Sequence, residues 1–167
     1  MKNLSIAACA LFIASPSFAD IRVQFIEGAP KDTFIIANEG NCNIGPSEVV
    51  IDFAASNAGL IFDVTGSGAG VEVFQPFDVT QGASLLASLP TITDGDQTAT
   101  LLINSLDAAE KIAFTIDVDD TKGAREITVS DDEINGATVS LSAQGKKVSA
   151  TMGANAEVVL PTGACVS

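Results

Sequence analysis

The chain has 167 residues, a formal net charge of −13, and no His, Trp or Tyr. Such a charge repels phosphate backbones and anionic membrane surfaces, which excludes nucleic acid as a partner. The missing His removes the commonest general base and transition-metal ligand, and the missing Trp and Tyr leave only Phe to stack on sugars or bases.

In chain order, the first segment is "MKNLSIAACALFIASPSFA", Met1 to Ala19. Lys2 supplies a positive n-region, Leu4 to Ala14 a short apolar run, and Ser17 and Ala19 the small residues of a cleavage site. The segment reads as a secretory signal peptide, and its apolar run is too short to span a bilayer. Cleavage after Ala19 leaves Asp20–Ser167, 148 residues and 14 net negative charges, enough for a single domain with its own core. A lipoprotein reading of Ile6-Ala7-Ala8-Cys9 fails because too little apolar chain precedes Cys9. No other segment resembles a membrane span, and hydrophobicity is too high for a disordered chain.

Short alternating segments then recur between turn residues, the pattern of antiparallel strands with one buried face. They are Ile21–Ile26, Thr33–Asn38, Glu48–Phe53, Leu60–Val64, Val71–Val79, Thr98–Asn104, Lys111–Asp119, Glu126–Ser130, Ala137–Ser142, Lys146–Thr151 and Glu157–Leu160. Helical signal is confined to Ala83–Leu89, stopped by Pro90, and to one turn over Ser105–Glu110. The expected fold is all-β, an antiparallel β-sandwich of immunoglobulin-like or related type with one or two short helical turns.

Two hairpins can be read in register. Gln144-Gly145 suits a two-residue turn, which sets Ala143 opposite Lys146, Leu141 opposite Val148 and Val139 opposite Ala150. Lys122-Gly123 suits a similar turn, which sets Val118 opposite Ile127 and Ile116 opposite Val129. A slip of one residue would turn one apolar set outward.

The second hairpin lies in the acidic stretch Phe114–Ile134, which holds seven carboxylates. Its register points Asp117 and Asp119 outward, with Asp119 opposite Glu126, Asp117 opposite Thr128 and Asp120 opposite Arg125. Opposed like charges destabilise a sheet, and a bound Ca²⁺ would reverse that penalty with its preference for several oxygen ligands. Asp117, Asp119 and Glu126 are therefore the candidate metal ligands, with Asp120 or the Asp94-Gly95-Asp96 loop as additions. The alternative is a solvated acidic face, since exposed carboxylates repel weakly at physiological salt. Asp131-Asp132-Glu133 reads as a turn before the next strand.

Other motifs have plainer readings. "TGSGAG", Thr65 to Gly70, lacks phosphate-loop spacing and precedes a strand pattern, so it reads as a mobile connection between strands. In "VEVFQPFDV", Pro76 marks an edge or bulge, and Phe74 and Phe77 fall on opposite faces of an ideal strand, so that one faces outward and is expected to be covered by a second sheet or loop, the alternative being an exposed contact patch. Two cysteines of the mature chain, Cys42 and Cys165, suit one disulfide in an oxidising compartment, worth about 4–5 kcal/mol in the chain-entropy model if unstrained. The pair Asp117/Asp119 is formally able to do acid–base chemistry, but nothing in the sequence forms a cleft around it. The chain reads as non-enzymatic.

Two blocks, "AGLIFDVTGSGAGVEVFQPF" and "KIAFTIDVDDTKGAREITVSDDEINGA", together with "GAPKD" and the signal segment, resemble the bacterial aggregation factor core proteins. The family takes its name from sponge cell-adhesion factors whose assembly depends on calcium. The resemblance implies an exported, periplasmic or extracellular module of adhesion or aggregation type, binding an envelope or extracellular protein or glycan. The alternative function is a periplasmic accessory domain that holds another envelope component through its Gly-rich and acidic loops.

Overall fold

The computed structural model describes residues 18–68, 70, 73–122 and 128–164. Its strands are β1 (Phe18–Ile26), β2 (Asp32–Asn38), β3 (Ser47–Asp52), β4 (Ile61–Phe62), β5 (Asp78–Gln81), β6 (Leu86–Ser88), β7 (Thr98–Ile103), β8 (Lys111–Ile116), β9 (Val118–Asp119), β10 (Thr138–Ala143), β11 (Lys146–Thr151) and β12 (Glu157–Ala164). They form two five-stranded antiparallel sheets, ordered β12-β1-β2-β8-β5 and β11-β10-β3-β7-β6, and a separate pair β4-β9. This is a β-sandwich, as the alternating pattern requires.

Alternation explains the body of the fold. In β2 every second residue is buried, and β3 and β7 repeat the pattern. The inward residues of both sheets meet in one core. A chain of phenylalanines crosses it: Phe25, Phe34 and Phe114 from one sheet, then Phe53 after β3, then Phe62 in β4. Phe34 stacks on Phe114 at 5.2 Å, and Phe53 meets Phe62 at 4.7 Å. Rings at these distances add to the free energy of burial.

The β10–β11 hairpin has the expected register, Ala143 opposite Lys146, Leu141 opposite Val148 and Val139 opposite Ala150. Gln144 and Gly145 both have positive φ, 51° and 74°, as a type I′ turn needs.

Other expectations need correction. Helix does not extend through Ala83–Leu89: a 3₁₀ turn covers Ala83–Leu85, and Leu86–Ser88 joins the second sheet as an edge strand. Pairing with β7 outweighs the local helical preference of that apolar run. Ser105–Glu110 is not helical either. Leu106 bridges to Ile44, and a turn closes where the Glu110 carboxylate accepts the Asp107 amide proton at 2.9 Å. Asp131–Ile134 is a short α-helical turn, not a plain turn, because Ser130 and Glu133 form a capping box.

The second predicted hairpin is absent where it can be seen. Residues 123–127 lie outside the described residues. Ile116 instead pairs with Asp32 of β2, while Val118 and Asp119 pair with Phe62 and Ile61 of β4. With β2 on one side and β5 on the other, β8 has no free edge for Val129. No helix among the described residues is long and apolar enough to cross a membrane.

Candidate metal centre

The chain changes sheets at Asp117, and there the period-two alternation fails. From Ile116 to Asp120 every residue is buried, and so is every residue from Ala58 to Asp63. β4 and β9 lie side by side, with Phe62 and Val118 packed into the core. Main-chain hydrogen bonds fix the crossing. Asp63 N–H donates to the Asp117 carbonyl at 3.1 Å, Gln75 N–H donates to the Asp63 carbonyl, and Asp117 N–H donates to the Gln75 carbonyl. The Asp94–Asp96 loop is tied to the same strand: Phe62 N–H donates to the Asp96 carbonyl and Gly95 N–H to the Phe62 carbonyl.

This arrangement converges three carboxylates. Asp63, Asp117 and Asp119 each offer an oxygen within 4.8 Å of the other two. Their exposures are 1%, 4% and 2%. Neither oxygen of Asp63 meets a hydrogen-bond donor among the described residues, and nor does Oδ2 of Asp117. The groups facing Asp63 are the carboxyls of Asp94 and Asp119. Oxygen therefore faces oxygen in a site shielded from water, an arrangement that calls for a proton or a cation between them.

Proton affinities follow. Burial pushes Asp63 up to about 7, and the carboxyls of Asp94 and Asp119 add to the shift. Burial likewise raises Asp117 to about 7, aided by the charges of Asp119 and Asp32 and opposed by a hydrogen bond from Val118 N–H. Asp32, also buried, reaches about 7 although it accepts hydrogen bonds from Gly28 and Val118 N–H, each at 3.1 Å. The Val118 bond makes Asp32 a strut between β2 and β9 and the Gly28 bond ties it to the turn before β2, whereas Asp63 has no such donor among the described residues.

Gly-rich chain lies directly on the cluster. Asp94 Oδ1 accepts the amide protons of Val64 and Thr65 at 3.0 and 3.1 Å. A Cβ placed on Gly70 would sit 2.1 Å from Asp63 Oδ2 and 2.7 Å from Asp119 Oδ2, and one on Gly68 would sit 1.5 Å from Asp94 Oδ2. One on Gly66 would sit 2.8 Å from the Phe74 ring. The described part of Thr65–Gly70 is thus packed against carboxylates and Phe74, where the sequence suggested only a mobile connection. Phe74 is exposed beside it, and Phe77 turns inward against Phe114 at 4.8 Å.

Of the expected metal ligands, Asp117 and Asp119 come together, but buried, not on an outward face. The reason is the break in the strand at Asp117, which abolishes the outward parity of a continuous β8. Glu126 lies outside the described residues, as does Arg125, the expected partner of Asp120. Asp120 is buried. Asp94 belongs to the site's surroundings, while Asp96 accepts the Thr93 amide proton at 2.7 Å within its own turn. Asp63 was missed. Its signal is a matched pair of tripeptides: an apolar residue, Asp and Val follow one another at Phe62–Val64 and at Ile116–Val118. Cys42 is partly buried against the core, and Cys165 lies outside the described residues.

No family model matches the chain, and no curated protein matches it. Among solved structures, it is similar to a GH20 exo-β-N-acetylglucosaminidase from Vibrio harveyi, seen as an inactive mutant and in complex with N-acetylglucosamine. The first is 13% identical with TM-score 0.35, and the second 12% identical with TM-score 0.32. Each match covers 81% of this chain and 17% of the other.

Proposed function

We propose that the chain is an exported, non-enzymatic β-sandwich module of adhesion or aggregation type, with one end fixed by a divalent cation, Ca²⁺. The observation that carries this reading is the buried meeting of Asp63, Asp117 and Asp119 within 4.8 Å. Three carboxylates cannot all ionise in so dry a place without a compensating charge. A hard cation with oxygen ligands supplies it, and Ca²⁺ accepts the irregular geometry that carboxylates on separate strands provide. Val73 and Phe74 are exposed apolar groups, and Gln75 next to them is tied by main-chain hydrogen bonds to Asp63 and Asp117, so the same ion would help to hold them in place.

Export rests on the signal-like first 19 residues. A Cys42–Cys165 disulfide fits the strand directions. Asn38 and Leu160 both pair with Ile21, so β2 and β12 leave the sheet at the same end, towards the two cysteines. The adhesive role is tested in a deletion strain, by cell fractionation and a clumping assay with and without a Ca²⁺ chelator. Loss of Ca²⁺-dependent clumping on deletion supports the reading. Unchanged clumping with a purely periplasmic location would favour an accessory domain that holds an envelope component.

A further inference from the structure

The carboxylate cluster leaves a coordination problem. Asp63, Asp117 and Asp119 offer one close oxygen each, and Asp94 stands against Asp63. Mg²⁺ demands an octahedron and keeps several waters, whereas Ca²⁺ takes six to eight oxygens, main-chain carbonyls included. Asp63, Asp117 and Asp119 are exposed by 4% or less, which favours oxygens from protein over the waters Mg²⁺ retains. Further oxygens must come from protein, and the chain lying nearest is Gly-rich.

Gly70 is closest. Its main chain approaches Asp63 and Asp119 so nearly that a methyl group there would lie 2.1 Å from one carboxylate and 2.7 Å from the other. Its φ is not in the left-handed region, so the need for glycine at 70 is one of space. Gly68 is doubly constrained, by φ +152° and by the 1.5 Å approach to Asp94 Oδ2. Gly45 offers a contrast, because a Cβ there would meet nothing within 4 Å.

We propose that Gly70 is a specificity-determining residue of the cation site: it lets main chain, in place of a side chain, wall the Asp63/Asp119 cluster and fits it to Ca²⁺ over Mg²⁺. This rests on the cation reading above. Its role is to position, since any side chain at 70 would push the carboxylates apart or fill the ion's place.

The test is calorimetric titration of the purified chain and of Gly70→Ala and Gly45→Ala with CaCl₂ and, separately, MgCl₂. Circular dichroism confirms that each variant is folded. The expected result is Ca²⁺ binding at least tenfold tighter than Mg²⁺ in the unaltered chain. Gly45→Ala keeps that affinity, and Gly70→Ala weakens Ca²⁺ binding at least tenfold. Gly70→Ala binding Ca²⁺ like the unaltered chain would overturn the proposal and leave the cation site standing, as would equal affinity for Mg²⁺. Failure of the unaltered chain to bind Ca²⁺ overturns both. Should Gly70→Ala not fold, the ratio of Ca²⁺ to Mg²⁺ affinity in the unaltered chain still decides the selectivity.

Discussion

The β10–β11 hairpin and the β4–β9 junction are both antiparallel pairs and obey different rules. In the hairpin, a two-residue turn fixes the register, and the apolar side chains of Val139, Leu141, Val148 and Ala150 fall on the core side. At the junction, successive residues are buried regardless of parity, and the polar ones are carboxylates. A segment buried on all sides belongs to the core if apolar, but buried carboxylates need a counter-charge. The regular half of the molecule therefore serves stability, and the irregular end concentrates the chemistry.

The largest effect belongs to the body. Phe114 is fully buried between Phe34 and Phe77, so Phe114→Ala should cost about 3–5 kcal/mol, read as a lower midpoint in denaturant melts. If the chain still binds Ca²⁺ once folded, body and junction are separable.

Next comes the junction. Asp63→Asn removes the carboxylate that meets no hydrogen-bond donor among the described residues, so the Ca²⁺-induced gain in stability should vanish. For the unaltered chain that gain is about 2.7 kcal/mol at a hundredfold excess of Ca²⁺ over Kd. Without Ca²⁺, Asp63→Asn should be no less stable than the unaltered chain at pH 8, since it removes a charge that is costly to bury.

The pH response has a definite sign. Asp32, Asp63 and Asp117 have folded pKa values of about 7, raised from 3.8. The folded chain then binds more protons than the unfolded chain between these values. Stability of the Ca²⁺-free protein is fully present below about pH 4 as regards these groups, and is lost as pH rises through 7. Thermal melts at pH 5 and pH 8 should show the lower midpoint at pH 8, and Ca²⁺ should restore it. A Ca²⁺-free midpoint that rises over that interval would contradict the burial of these carboxyls.

The smallest effect returns to the hairpin. Gly145→Ala places a methyl group at φ 74° and should cost about 1 kcal/mol, with Ca²⁺ affinity unchanged.

Legibility in the sequence follows the same division. The alternation in Thr33–Asn38 and Glu48–Phe53 and the Gln144-Gly145 turn carry their own registers, because each depends only on neighbouring residues. Asp117 and Asp119 could be singled out as acids near a strand end, but their burial could not. It depends on β4, which is distant in the chain and pairs with β9 through Ile61 and Phe62. One continuous strand over Lys111–Asp119 would turn these side chains to solvent and set Asp119 opposite Glu126 and Asp117 opposite Thr128, with no place for Asp63. Leu86–Ser88 failed for a similar reason, since a helical apolar run became an edge strand through contact with β7.

The central claim is that the buried carboxylates of Asp63, Asp117 and Asp119 hold a cation. Calorimetric titration of the purified chain with CaCl₂, beside Asp63→Asn, addresses it most directly. Saturable heat is expected from the unaltered chain and none from the variant. Absence of heat from the unaltered chain at millimolar Ca²⁺, with an unmoved melting temperature, would contradict it.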